Sequence, residues 1–191
     1  MANLARKLMT VAEFADFDDG TDRRHELIGG EIVMMSPPLR RHRVLAARLA
    51  RILNVRLRPP CEAEVEAGIV LPWTANDYYQ ADVAVSCTPV GRELWCPDPV
   101  LIVEVLSDST ERKDRRVKLP AYRRLPSVLD ILLVATDEAL VEHYARAAGA
   151  RWEVQDLKSG DVIRLAGLGI EFPLDELYAG LPLGPEEALG G

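Results

Sequence analysis

With 191 residues, 48% of them hydrophobic and 28% charged, the chain suits one globular domain (1–191, core about 10–180) with a sizeable interior. No apolar run approaches the roughly 20 residues of a membrane span, and residues 1–14 hold no apolar stretch of signal-peptide length, so a cytoplasmic protein without a membrane partner is expected. A net charge of −7 argues against a general nucleic-acid coat.

Thr10-Val-Ala-Glu13 has capping-box spacing and should open a short helix ending near Asp16. In HELIGGEIVMM two apolar runs flank Gly29-Gly30, and glycine's tolerance of positive φ makes this a hairpin. Pro37-Pro38 breaks the chain. Over 40–57, Leu45, Leu49, Ile52, Leu53 and Leu57 recur at three- and four-residue spacing, which predicts an amphipathic helix. Its outer face is basic, since 40–58 holds seven arginines and no acid. CEAEVEAGIVL then alternates, with Ala63, Val65, Ala67 and Ile69 on one side and Glu62, Glu64 and Glu66 on the other. That period predicts a half-exposed strand. Cys61, Cys87 and Cys96 are odd in number and share no C-x-x-C spacing, so they read as small buried apolar residues, without a disulfide or zinc site.

DYYQADVAVS supplies a strand around 81–85, and VLIVEVL at 100–106 is apolar enough for a central strand covered on both faces. Ser109 and Thr110 are caps for a helix to about Leu125, which Pro120 should kink or divide. Positions 111–124 carry seven basic residues against Glu111 and Asp114. Two basic segments on an acidic body can form a phosphate-attracting surface, although for most of these arginines a solvated helix face is the better account. VLDILLVA, ALVEHYAR, RWEVQDL and DVIRLA read as successive strands ending in a meander, LDELY as a short helix, and the Gly/Pro-rich tail as loose. Helices and strands mix without strict alternation, which makes the fold class α/β in the mixed sense.

Two carboxylates carry the chemistry. Glu104 lies within an apolar strand, where an isolated charge costs several kcal/mol or more unless paired, protonated or metal-bound. Asp82 lies on the preceding strand, 22 residues earlier, and adjacent strands can bring the two together. Hard oxygen ligands of this kind suit Mg²⁺. The plainer readings are that Asp82 caps or braces a turn and that Glu104 pairs with an arginine of the basic helix. Downstream, Asp114, Lys118 and Tyr122 recur every four residues and fall on one helix face. Lys118 can then point at the same site, or form an ordinary i,i+4 pair with Asp114.

The ordered set Val103-Glu104-Val105-Leu106-Ser107, Ser109-Thr110, Asp114, Lys118 and Tyr122 resembles the hallmark of the bacterial Uma-type endonuclease family, placed in the restriction-endonuclease-like PD-(D/E)xK superfamily. Glu26-Leu27-Ile28-Gly29-Gly30-Glu31 resembles that family's entry hairpin. Ser36-Pro37 with His42 is similar to its S-P…H stretch, and Ala81-Asp82-Val83 to its P-D-V strand. The resemblance implies a restriction-endonuclease-like core with a central mixed sheet flanked by helices, an N-terminal hairpin and a C-terminal β meander. It also implies Mg²⁺- or Mn²⁺-dependent cleavage of phosphodiesters, with DNA as the nucleic-acid partner, by a homo-oligomer (dimer or higher).

Position by position, the resemblance makes Asp82 and Glu104 metal ligands. Lys118 replaces the strand lysine of the superfamily, whose place is taken by Leu106, and as a catalytic residue would stabilise the charge developing on phosphate. Glu26 matches an early acid that joins the metal site in related nucleases. His42 either contacts phosphate or satisfies hydrogen bonds in the fold, and Ser107, Thr110, Asp114 and Tyr122 are possible substrate contacts. Ala81 departs from the proline of P-D-V, and Leu129-Asp130-Ile131-Leu132 departs from an aromatic stretch. The alternative function is a non-catalytic nucleic-acid-binding or assembly module, motivated by the acidic total and the missing strand lysine. No Walker-type glycine loop is present for nucleotide hydrolysis.

Overall fold

The computed structural model describes residues 8–107 and 111–184. Helix α1 (Val11–Ala15) opens at its capping box, with the Glu13 N–H donating to Thr10 Oγ1 at 3.2 Å and the Thr10 N–H donating to Glu13 Oε2 at 2.9 Å. Strands β1 (His25–Ile28) and β2 (Glu31–Met34) form the expected hairpin, turning on Gly29 and Gly30 at positive φ. Next come α2 (Arg40–Arg56), β3 (Glu62–Val70), β4 (Tyr78–Ser86) and β5 (Pro99–Val105). A helical stretch follows in three parts: α3 (Glu111–Lys113), a π-turn (Asp114–Lys118) and α4 (Leu119–Tyr122). The chain continues through β6 (Asp130–Val134), β7 (Leu140–Arg146), β8 (Trp152–Lys158), β9 (Val162–Leu165), β10 (Ile170–Pro173) and α5 (Leu174–Tyr178).

The main sheet runs β2-β1-β4-β5-β6-β7-β8, with β3 paired to β4. Among the described residues only β5 and β6 pair in parallel, joined by the helical crossover; the other pairs are antiparallel, so the sheet is mixed. On one face, Leu45, Leu49 and Leu53 of α2 and Leu177 of α5 pack on Val83, Val103 and Leu132. On the other, Leu119 and Tyr122 of α4 pack on Ala84, Ile102 and Ile131. Strand β5 is thus covered on both faces, as its apolar run predicts, each buried Val, Leu or Ile contributing about 1.5–3 kcal/mol. Among the described residues, no helix is long and apolar enough to cross a membrane.

Pro120 does not break the helix. Its missing N–H falls just after the π-turn, in which the Leu119 N–H reaches back to the Asp114 carbonyl. Four residues overshoot one α-turn and undershoot one π-turn, so the two offsets cancel. Asp114, Lys118 and Tyr122 consequently stack in one buried row.

Three expectations are corrected and a fourth is qualified. Strand β9 leaves the meander after β8 and pairs with β10, a strand the pattern did not indicate, in a separate two-stranded sheet. Cys61 and Cys87 are disulfide-bonded, because the β3–β4 register pairing Glu62 with Ser86 sets them opposite; only Cys96 is a free buried thiol. The basic segment at 40–58 is solvated at Arg40, Arg43, Arg51 and Arg58, as expected for most of it, but Arg41 donates to the Thr136 and Gly184 carbonyls, Arg48 to those of Leu177 and Ala179, and Arg56 pairs with Glu176. These three arginines fasten the C-terminal segment to α2. Finally, β3 does not keep one apolar side. Ala63 packs under α2, whereas Ala67 and Ile69 join the opposite core and Val65 is exposed.

Candidate active site

The site forms where the sheet opens. Strand β5 pairs with β4 from Val83 to Ser86, and β1 meets the same edge only at Tyr78. In the gap between them, charged side chains take the place of a backbone ladder. The Gln80 N–H donates to Glu26 Oε1 at 3.0 Å, and the Gln80 carbonyl accepts from Lys118 Nζ at 2.8 Å. On β5, the Val105 N–H donates to Asp82 Oδ2 at 2.7 Å. A buried backbone group left without a partner costs about 1–3 kcal/mol, so these bonds anchor the carboxylates firmly.

Lys118 is the hub. Its ammonium lies 2.9 Å from Glu26 Oε1, 3.1 Å from Glu104 Oε1 and 3.4 Å from Asp114 Oδ1, with the lysine only 2% exposed. Lys113 Nζ closes on the other Glu26 oxygen at 2.5 Å, and the Tyr122 hydroxyl donates to Glu104 Oε1 at 2.7 Å. The companions of Glu104 are therefore a lysine and a tyrosine of the helical crossover. The expected arginine partner from α2 is absent because α2 covers the opposite face.

Three carboxylates share the Lys118 ammonium, and they divide it unequally. Burial and the charges of Asp114 and Asp82 push the Glu104 carboxyl well above its usual range, against the opposing pull of Lys118 and Tyr122. Burial also works against Glu26, but Lys118, Lys113 and the Gln80 N–H outweigh it and hold that carboxyl below its usual range. Lys118 stays firmly cationic: burial opposes its charge, and Glu104, Glu26 and Asp114 overcome that opposition.

Asp82 borders this cluster from β4, and His42 Nε2, from the first turn of α2, lies 3.2 Å from Asp82 Oδ2. Its Nδ1 is buried without a hydrogen-bond partner among the described residues. Asp82, Glu104, Lys118, Glu26, His42, Asp114 and Tyr122 are thus brought together. Tyr122 and Asp114 are enclosed, however, and reach Glu104 and Lys118 instead of the surface. Ser107 stands apart, lining a cavity of about 430 Å³ with Glu111, Arg115 and Glu142 at the ends of β5 and β6. Thr110 lies outside the described residues. Lys113 and Gln80 were not singled out by the sequence, since neither belongs to a periodic face or a motif.

The donor chemistry suits one hard cation with few protein ligands. The partners of Glu104 meet Oε1 and those of Asp82 meet Oδ2, so each carboxylate keeps a second oxygen uncommitted among the described residues. No group of three or more His, Cys, Asp or Glu side chains capable of holding a metal occurs among the described residues. Two carboxylates with water and phosphate oxygens are nevertheless an ordinary Mg²⁺ environment.

Comparison with known proteins gives concordant results. The Uma2 model, described as "Putative restriction endonuclease", matches residues 11–175. Two Synechocystis sp. proteins are similar along most of their length: uncharacterized protein slr1290 is 29% identical over 179 residues, covering 91% of this chain and 93% of the relative. Uncharacterized protein sll1609 is 27% identical over 157 residues, covering 79% and 88%. The crystal structure of "a putative nuclease belonging to DUF820" from Anabaena variabilis superposes with a TM-score of 0.72 at 17% identity, over 90% of this chain and 98% of that one. That likeness shows a shared fold, and the match along residues 11–175 shows that the chain belongs to the Uma2 family.

Proposed function

We propose that the protein is a Mg²⁺- or Mn²⁺-dependent nuclease that hydrolyses phosphodiester bonds in DNA. The observation that carries this reading is the meeting of Asp82 and Glu104 at the sheet gap, each with an oxygen to spare, beside a lysine that is already saturated. Asp82 and Glu104 would hold the ion. When bound there, it supplies positive charge against the charge developing on a phosphoryl group. Lys118, with Gln80 O, Glu26 and Glu104 around it, acts by fixing the carboxylates and not by touching phosphate. Family membership supports the nuclease class. Incubation of plasmid DNA with Mg²⁺ or Mn²⁺ tests the reading; no cleavage of single- or double-stranded DNA would overturn it. A homo-oligomer belongs to the same reading, since two sites are needed to cut two strands, and sedimentation measures it.

Glu104→Gln separates fold from chemistry. The amide carbonyl can still accept from Lys118 and Tyr122, so unfolding by denaturant should shift by less than about 1.5 kcal/mol. Saturable Mn²⁺ binding in calorimetry should disappear.

With Arg41, Arg48 and Arg56 committed to the C-terminal segment, Arg40 and Arg43 are the exposed arginines that bracket His42. The double change Arg40→Ala/Arg43→Ala should weaken duplex binding in Ca²⁺ and lower the slope of log affinity against log salt by about 1–2, one phosphate contact per side chain. An unchanged slope would remove these residues from the interface.

The second reading is an assembly module that keeps the fold without turnover. It is favoured by Lys118, which already offsets the acid cluster without an added ion. Wild-type protein that takes up no Mn²⁺ would select it.

A further inference from the structure

Glu66 sits in the middle of nine-residue β3 with φ of +55°, a left-handed conformation that a non-glycine residue adopts against steric resistance. The ladder on either side is continuous, Val65 opposite Val83 and Ala67 opposite Ala81, so no extra residue explains it and Glu66 lies across from Asp82. At this pair both strands turn over. Tyr79 and Ala81 belong to the core under α4, whereas Val83 and Val85, of the same parity, belong to the core under α2. On β3 the exchange is mirrored by Ala63 on one side of Glu66 and Ala67 and Ile69 on the other.

The turnover decides where Asp82 points. Alternation from Ala81 would place its side chain on the α2 face and alternation back from Val83 on the face of the helical crossover, so the two halves of the strand assign it to opposite sides. Instead the carboxylate reaches sideways to the Val105 N–H, at 2.7 Å, and meets His42 of the opposite layer at 3.2 Å. A backbone bond holds the kink, Gln80 Nε2 donating to the Glu66 carbonyl at 3.1 Å, while Arg24 pairs with Glu66 Oε1 at 3.0 Å on the exposed side. The Glu66 carboxylate faces outward and is occupied by Arg24, so its own charge is not part of the cluster.

We propose that Glu66 is a positioning residue for the Asp82–Glu104 pair, acting through its left-handed backbone and not through its carboxylate. This rests on the reading of that pair as a cation site. Backbone strain of this kind persists where the surroundings over-determine it, and here it turns an acid from a sheet face into the gap between strands.

The test uses the full chain with Gly, Ala or Val at position 66, read by Mn²⁺ calorimetry and by hydrogen exchange of the Val105 amide without metal. Glu66→Gly should match the wild type in both, because glycine takes positive φ freely. Glu66→Ala should match it as well, because alanine loses only the carboxylate and keeps the Cβ that glutamate already places at positive φ. Glu66→Val, whose β-branched side chain resists that conformation, should weaken Mn²⁺ binding about tenfold or more, as disturbed support of a metal ligand commonly does, and should speed exchange at Val105. A folded Glu66→Val with wild-type exchange and Mn²⁺ affinity would overturn the proposal. So would a Glu66→Gly or Glu66→Ala as impaired as valine, which would move the effect to the Arg24 pair. Should valine prevent folding, Glu66→Thr, also β-branched, decides on the same readouts. Wild-type protein without Mn²⁺ uptake would defeat the cation reading alone, since Val105 exchange reports on Glu66 without it.

Discussion

Asp82→Asn is expected to lower Mg²⁺-dependent conversion of supercoiled plasmid by about 1000-fold, the rate equivalent of the several kcal/mol that a bound ion contributes to phosphoryl transfer. Asparagine is the informative change because its carbonyl can still accept the Val105 N–H that Asp82 holds at 2.7 Å. Its thermal midpoint should therefore remain close to that of the wild type. Asp82→Ala removes that acceptor as well and should also lose about 1–3 kcal/mol of stability, the usual consequence of stranding a buried donor. Comparing the two on the same gels and melting curves separates ligand loss from local unfolding. An asparagine variant that nicks plasmid at the wild-type rate would remove Asp82 from the chemistry.

Lys118→Met should have the largest effect on stability, a loss of about 3–5 kcal/mol at neutral pH, as expected when one partner of a buried ion cluster is deleted. The variant strands the Gln80 carbonyl and leaves Glu26, Glu104 and Asp114 without their shared ammonium. The deficit should depend on pH in a defined direction. In the wild type the Glu26 carboxyl lies below its usual 4.5, so its contribution is present above that value and lost as pH falls through the depressed one. Without Lys118 much of the depression disappears. The gap between variant and wild type should therefore be widest above pH 4.5 and narrow below it. Urea unfolding at pH 7 and pH 4 measures this, and a gap equal at both would mean that Lys118 acts through packing alone.

Much of the local structure was legible in the sequence because it is written at short range. The Thr10–Glu13 box, the Gly29-Gly30 turn and the leucine spacing of α2 each involve residues a few positions apart. So does the row of Asp114, Lys118 and Tyr122, although its straightness needed a π-turn that no pattern announced. The acid pair was visible as an anomaly, a carboxylate in an oily strand. Its company was visible in part: the helix row offered Lys118 and the family resemblance Glu26, whereas Lys113 reaches the cluster from the crossover with no period or motif to mark it. The Cys61–Cys87 bond and the arginine fastening of the C-terminal segment escaped for the same reason. Each joins positions that only strand register or helix docking makes neighbours.

By itself, then, the sequence determined most of the helices and strands, the apolar stripe of α2 and the oily run of β5, and that two acids and one lysine require an explanation. The tertiary structure alone decided that β5 stops short of β1 along β4, and that charged groups close the resulting gap. It also decided that Glu66 turns Asp82 out of its strand face. Hydrophobic period and capping act over a turn or two of chain, whereas the energy of a buried charge depends on whatever distant segments surround it.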